Sequence, residues 1–200
     1  MRRLEADCLT MIAMIDRSEH VDVEYAVVEG SLTERPVTVV EIPPWDRTGT
    51  GPHSVAAHIE FCRPLVASGA VLLGAFAEQQ PIGLAVVDPT FEPELAWLAW
   101  LHVTRTHRRR GVGQALWNAA TDVARLGKAR SIYVSATPTG SAVGFYLRQG
   151  CRLADPAHPV LVAKEPDDIH LLCPLEQPPV QRGDQILEAR SEVVTTQKLG

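Results

Sequence analysis

Only four cysteines occur in 200 residues, Cys8, Cys62, Cys151 and Cys173, far apart and with no CxxC or close Cys/His set. That spacing argues against a structural zinc and against a disulfide framework, and makes a reducing compartment the simplest expectation. No apolar run approaches the roughly 20 residues of a membrane-spanning helix. The opening MRRLEADCLTMIAMID contains acids and no sustained apolar segment or small-residue cleavage site, so no secretory leader is read and a cytoplasmic protein is expected. Basic charge is short too: 19 Lys and Arg stand against 24 Asp and Glu, a net charge of −5. A nucleic-acid-binding domain usually shows a basic face, so neither DNA nor RNA is an expected partner, and no membrane partner is expected. Two phosphate-binding signatures are also missing. There is no GxxxxGK followed by Ser or Thr, and the dinucleotide fingerprint GxGxxG begins at Gly111 and Gly113 but meets Leu116 at its third glycine.

What is present describes a soluble globular chain, 46% hydrophobic and 22% charged, able to bury one core. A single domain is expected over residues 1–174. Residues 175–200 have few large apolar side chains and a Pro pair, and are expected to form a mobile tail outside the core.

Along the chain, Cys8–Ile15 reads as a short first strand, Asp16–Glu19 as a polar turn and Val21–Val28 as a further extended segment. A long connection punctuated by Pro36, Pro43, Pro44, Gly49, Gly51 and Pro52 follows. His53–Ser68 resembles a helix that Pro64 should kink or end early. Val71–Ala77 and Ile82–Val87 flank a turn as a hairpin would. Ser131–Ser135 is a compact β-type run, Ser141–Gln149 reads as a helix capped by Thr139 or Ser141, and Cys151–Leu153 and Ile169–Cys173 are late strands joined by a Pro-containing linker.

The organising stretch is Glu94–Gly127. Leu95–Val103 holds two Trp, three Leu and a Val around the single polar side chain of His102. A short run that is apolar on both faces belongs in the middle of a covered sheet. From Gly111 on, Val112, Leu116, Ala119, Val123 and Leu126 recur at helical spacing, with Gly127 as the stop. Between the two, Arg108-Arg109-Arg110-Gly111-Val112-Gly113 sets three guanidinium groups and two residues without a Cβ at the helix start. The first-turn N–H groups lack intrahelical partners and the dipole is positive there, so an anion such as a diphosphate is favoured.

RxxGxG from Arg108 to Gly113, following a central strand, resembles the pyrophosphate loop of the GNAT acetyltransferase superfamily. Leu101-His102-Val103 resembles the family's fourth strand, and Ala142–Cys151, AVGFYLRQGC, its helix with a Tyr four residues before the closing Gly, here Tyr146 and Gly150. The phrases IDRSE at 15–19, YVSATP at 133–138 and EPDDIHL at 165–171 resemble a bacterial subgroup.

The resemblance implies an α/β (α+β) fold, a mixed and mostly antiparallel central sheet flanked by helices. It implies acetyl-CoA as co-substrate, no metal, and direct transfer to an unidentified primary amine, small or protein-borne, in a ternary complex; it also allows a homodimer. Cofactor contacts would come from Leu101, Val103, Arg108, Arg109, Arg110, Gly111, Val112, Gly113 and Gln114. Ser141 stands where the family often carries an Asn. Tyr146 would donate a proton to the departing sulfur, its alternative being a core aromatic beside Phe145. Glu94 and His102 are candidate bases; Glu94 is otherwise a solvated strand-entry charge, His102 a packing residue, and water relays could replace both. Trp97 and Trp100 either line an acceptor pocket or belong to the core. Asp16, Arg17 and Glu19 either border the acceptor site or brace the first turn. A non-catalytic acyl-CoA-binding regulatory module is the alternative of another class.

Overall fold

The computed structural model describes residues 1–175; residues 176–200, most of the expected tail, lie outside them. The elements are β1 (Arg2–Leu4), a 3-10 helix (Ala6–Met14), β2 (Glu19–Val28), β3 (Ser31–Ile42), α1 (Val55–Ala67), β4 (Val71–Ala77), β5 (Gln80–Glu92) and β6 (Leu95–Val103). A 3-10 turn (Arg105–His107), α2 (Val112–Leu126), β7 (Ser131–Ala136), α3 (Gly140–Arg148), β8 (Arg152–Leu153), α4 (Pro159–Lys164) and β9 (Ile169–Pro174) complete it.

Seven strands form one sheet in the order β1-β4-β5-β6-β7-β9-β8, and β2-β3 stand apart as a two-stranded sheet. Only β6 and β7 are parallel neighbours. The sheet is thus mixed and mostly antiparallel, with helices on both faces, the expected class. One face carries the core of Leu116, Trp117, Ala120, Val134, Val143 and Tyr146. The other packs Leu9, Ile12, Trp45, Cys62, Trp97 and Trp100 beneath α1 and the first 3-10 helix. β6 contributes to both, which is why its sequence is apolar throughout. Among the described residues no helix is long and apolar enough to cross a membrane.

Several local expectations are corrected. Cys8–Ile15 lies largely in a 3-10 helix rather than a strand. Its buried residues Leu9, Ile12 and Ile15 are spaced by three, the period at which a 3-10 helix lines up one face. The punctuated connection contains twelve-residue β3, where Pro36 sits opposite Val23 beside a register shift, a place in a two-stranded sheet where a missing N–H is tolerated. Helix α1 runs three residues past Pro64, because the lost N–H bond falls near its end. The linker before β9 contains α4, with Pro159 at its first position, where proline fits. Gly127 has φ −73, so it is needed for proximity rather than for a left-handed stop: a Cβ there would lie 2.5 Å from the Pro89 oxygen.

Cys151 and Cys173 are joined by a disulfide, against the expectation of none. The register Arg152↔Leu172 puts the preceding residue, Cys151, opposite Cys173, so antiparallel pairing closes a sequence separation of 22 that hid the contact. The cysteine argument for a reducing compartment falls with that expectation.

Candidate functional site

Strands β6 and β7 pair from Leu95↔Ser131 to Leu98↔Val134 and then part. Beyond that point β6 follows β5 as far as Gly83↔Val103, and β7 follows β9 as far as Ala136↔Ile169. The separation has a local cause. Val87 faces Leu98 while Val86 faces Trp100, so Ala99 is one residue too many, a bulge that bends the strand and ends its second ladder. A wedge opens between the two strands, edged by unpaired backbone. The N–H of Thr104 donates to the Ile82 oxygen on the β5 side. Backbone groups alternate sides along a strand, so the amides of Leu101 and Val103 point toward the wedge.

The wedge leads to the arginine-glycine turn. Arg109 has φ +59 and Gly111 φ +81, left-handed conformations that turn the chain sharply into α2. No side chain caps α2, and its first ladder bond is Ala115 N–H to the Gly111 oxygen at 3.0 Å. The N–H groups of Val112, Gly113 and Gln114 therefore have no intrahelical partner. Arg109 and Arg110 are exposed beside them. A Cβ on Gly113 would meet Phe145 at 3.5 Å, an ordinary contact.

Two candidates from this turn have other employment. Arg108 donates from Nε to the Val103 oxygen (2.9 Å), from Nη2 to the Arg17 oxygen (2.9 Å) and from Nη1 to Glu19 Oε2 (3.2 Å). Its guanidinium braces the end of β6 against the IDRSE segment. The rest of that segment braces as well: the Asp16 oxygen accepts from Arg105 N–H at 2.9 Å, and Asp16 Oδ1 accepts from Ser18 N–H at 2.9 Å. Partial burial, the largest single influence, raises the Asp16 carboxyl, but hydrogen bonding from Ser18 and the Arg108 and Arg105 guanidiniums outweigh it and hold the group below its usual range. Gln114 exchanges amide hydrogen bonds with Gln149 (2.8 and 2.9 Å), tying α2 to α3.

Tyr146, on α3, is 7% exposed and packs against Trp117 and Phe145 with ring centroids 5.7 and 5.1 Å away. Burial raises its pKa above the ordinary tyrosine value, and the Asp168 and Glu165 carboxylates raise it further. The phenol therefore stays protonated at neutral pH and is available as a donor. Ser141 is exposed one residue into α3, its Oγ 3.4 Å from the hydroxyl of the capping Thr139.

On the other face His102 sits between Trp45 (5.1 Å) and Trp100 (4.5 Å), and Trp45 lies 4.1 Å from His58. Trp100 Nε1 donates to His58 Nδ1 at 3.2 Å, so neutral His58 carries its hydrogen on Nε2. Desolvation lowers the His58 pKa to about 4 and that of His102 to about 3, with nearby Arg17 adding to both. Both rings are neutral at pH 7, and His102 has the surroundings of a packing residue. Arg17 lies 4.4 Å over the Trp45 ring. Glu94 pairs with Arg130 at 2.9 Å just before β6 begins, nine residues from Val103 and so roughly 30 Å along the strand. The structure does not bring Glu94 together with Tyr146. An open depression lined by Glu94, Arg130, Tyr133 and His158 lies at that far end, away from the wedge.

Residue-by-residue reading of the sequence missed Asp168 and Glu165, which stand near Tyr146. The only signal was the EPDDIHL phrase that contains them.

A family model described as the acetyltransferase (GNAT) family matches residues 39–151, more than half of the chain. Among solved structures, nourseothricin acetyltransferase is similar with a TM-score of 0.66 at 20% identity, the match covering 88% of this chain and 97% of that one. A protein of Bacillus anthracis assigned as a streptothricin acetyltransferase, in complex with acetyl coenzyme A, has a TM-score of 0.64 at 19% identity and the same coverage of 88% and 97%. An assigned GNAT acetyltransferase of Desulfovibrio desulfuricans has 0.50 at 18%, covering 64% and 84%. At these identities the likeness is one of fold. No curated protein matches the chain at a significant level.

Proposed function

The chain belongs to the acetyltransferase (GNAT) family, and we propose that it transfers the acetyl group of acetyl-CoA directly to a primary amine within a ternary complex. The observation that carries this reading is the wedge between β6 and β7, where the amides of Leu101 and Val103 face an opening that ends at the uncapped start of α2. An extended pantetheine arm can pair with such a strand edge, and a diphosphate suits the free amides of Val112, Gly113 and Gln114 beside Arg109 and Arg110. Arg108 contributes by holding the turn in place through Val103.

In this scheme the Val103 amide donates to the thioester carbonyl oxygen, where negative charge develops as the amine attacks. The Tyr146 hydroxyl, kept protonated by burial, donates to the sulfur as the carbon–sulfur bond breaks. The named activities of the two similar structures make nourseothricin and streptothricin reasonable first acceptors to assay.

Calorimetric titration with acetyl-CoA tests the reading independently of the acceptor. Saturable one-site binding in the micromolar range, about −8 kcal/mol, is expected. An absence of binding at millimolar ligand would overturn it.

A further inference from the structure

The turn between α4 and β9 is fastened to the end of β7 that borders the wedge. Ala136 pairs with Ile169 and Ser135 with His170. His170 Nε2 lies 3.1 Å from the Glu165 oxygen, and a carbonyl only accepts, so Nε2 carries the hydrogen, and Nδ1 faces the Ser135 hydroxyl at 3.4 Å. Asp168 N–H closes the turn on the Glu165 oxygen at 3.2 Å. These bonds fix the backbone of the turn that carries two partly buried carboxylates, Glu165 and Asp168.

Neither carboxylate forms an ion pair among the described residues, although four arginine–carboxylate pairs do form there. Desolvation comes first in raising the Asp168 pKa to about 7, followed by the charges of Glu165 and Asp167. Glu165 is raised as well, by burial, against the lowering effects of the Ser135 hydroxyl and Lys164. An independent observation points the same way. The Tyr146 hydroxyl, on a side chain more than nine-tenths buried, has no hydrogen-bond partner among the described residues, and it feels both carboxylates. A donor without a partner and two acids without an ion pair, beside the end of β7 that borders the wedge, are complementary to a cationic molecule that also supplies a lone pair.

We propose that this turn is the acceptor end of the site: Asp168 holds the reacting ammonium near the Tyr146 hydroxyl and takes its first proton, while Glu165 pairs with a second cationic group of the same molecule. The acceptor class is therefore an amine with a second positive charge. The inference rests on the acetyl transfer proposed above. The ammonium gives one proton to the Asp168 carboxylate, and the freed nitrogen lone pair forms the bond to the thioester carbonyl carbon. The carbon–sulfur bond then breaks with its electron pair on sulfur. A second proton leaves nitrogen and reaches that sulfur through Tyr146, which gives up its own hydrogen and receives the other. Asp168 returns its proton to solvent, so ammonium and thioester become amide, thiol and one proton. A base titrating near 7 suits this exchange at neutral pH.

The test compares 1,5-diaminopentane with 1-aminopentane as acceptors at saturating acetyl-CoA, following thiol release, after acetyl-CoA binding has been measured calorimetrically. The diamine is expected to have a kcat/KM roughly tenfold or more above the monoamine. Asp168→Asn, nearly isosteric, should lower kcat about 100-fold with an unchanged Kd for acetyl-CoA, which also reports that the variant is folded. The rise of kcat with pH around 7 should disappear in that variant. The groups that bear on that titration are Glu165 and Asp167 in the turn, Lys164 at the end of α4, Tyr146 on α3, Ser135 and His170 in the sheet, and Cys62 on α1, which feels Glu165. Glu165→Gln should bring the two amines to within about twofold of each other. The proposal is overturned by wild-type kcat in Asp168→Asn, by equal use of the two amines, or by turnover of neither while acetyl-CoA binds. Failure of the wild type to bind acetyl-CoA would instead remove the proposed function, and this inference with it.

Discussion

Arg108 donates its Nε hydrogen to the carbonyl oxygen of Val103 at 2.9 Å, so the first arginine of the glycine-containing turn is committed to the strand before it. Its other nitrogens reach the Arg17 oxygen and Glu19, which makes it a three-way brace for the end of the wedge. Arg108→Ala leaves those partners unpaired and is expected to cost about 2 kcal/mol in chemical denaturation and to weaken acetyl-CoA binding. Arg108→Lys cannot span three acceptors with one ammonium and should recover less than half of the stability.

The two glycines of the turn separate folding from binding. Gly111 has φ +81, where a side chain is strained, so Gly111→Val should lower stability by roughly 1–2 kcal/mol. A Cβ at Gly113 makes only ordinary contact with Phe145, so Gly113→Ala should unfold within a few degrees of wild type. Its methyl would crowd an anion on the free amides, and calorimetry should find acetyl-CoA binding weakened about tenfold or more. Unaltered affinity would move the diphosphate elsewhere.

Tyr146→Phe removes a hydroxyl that has no partner among the described residues, so the variant should be about as stable as wild type. Turnover should fall roughly 10²-fold, with acetyl-CoA affinity changed less than about twofold. Full activity in steady-state assays would return Tyr146 to the core with Phe145.

Acid should loosen the aromatic cluster around Trp45 and Trp100. Desolvation, helped by Arg17, depresses His58 from 6.5 to about 4 and His102 from 6.5 to about 3. The unfolded chain therefore binds protons that the folded one refuses. Stability from these groups is complete above pH 6.5 and is lost as pH falls toward 4 and then 3. Urea midpoints followed by tryptophan fluorescence at pH 7, 5.5 and 4.5 should fall progressively. A combined His58→Gln and His102→Gln variant should show a flatter dependence; an equally steep one would assign the acid sensitivity to other groups.

Thiol counting under denaturing conditions checks the Cys151–Cys173 bond. Without reductant two thiols, Cys8 and Cys62, should react, and with reductant four. Cys173→Ser should lower stability by about 2–4 kcal/mol under oxidising conditions and have a smaller effect under reducing ones.

Particular residues show how far the sequence could be read. Leu95–Val103 was legible as a central strand with its bounds intact, because a strand buried on both faces is apolar nearly throughout, here at every position but His102. Leu9, Ile12 and Ile15 were misread because a three-residue period is rare enough to pass for an apolar run. Strand β3 was missed because its side chains are mostly exposed and its stability comes from pairing with β2, which leaves little pattern in the residues themselves.

The candidate site divides along the same line. The chain by itself determined the RxxGxG turn, the free helix start behind it and Tyr146 four residues before Gly150, because these depend on local backbone freedom, helix polarity and helical spacing. Only the tertiary structure decided that Arg108 braces rather than reaches outward, that Glu94 stands at the wrong end of β6, that Cys151 meets Cys173, and that Asp168 and Glu165 gather near Tyr146. Most of these depend on residues far apart in the chain, such as Arg108 with Arg17 and Cys151 with Cys173. Such contacts arise from sheet register and from the parting of β6 and β7 at Ala99, and register is a property of paired strands that no single stretch of sequence contains.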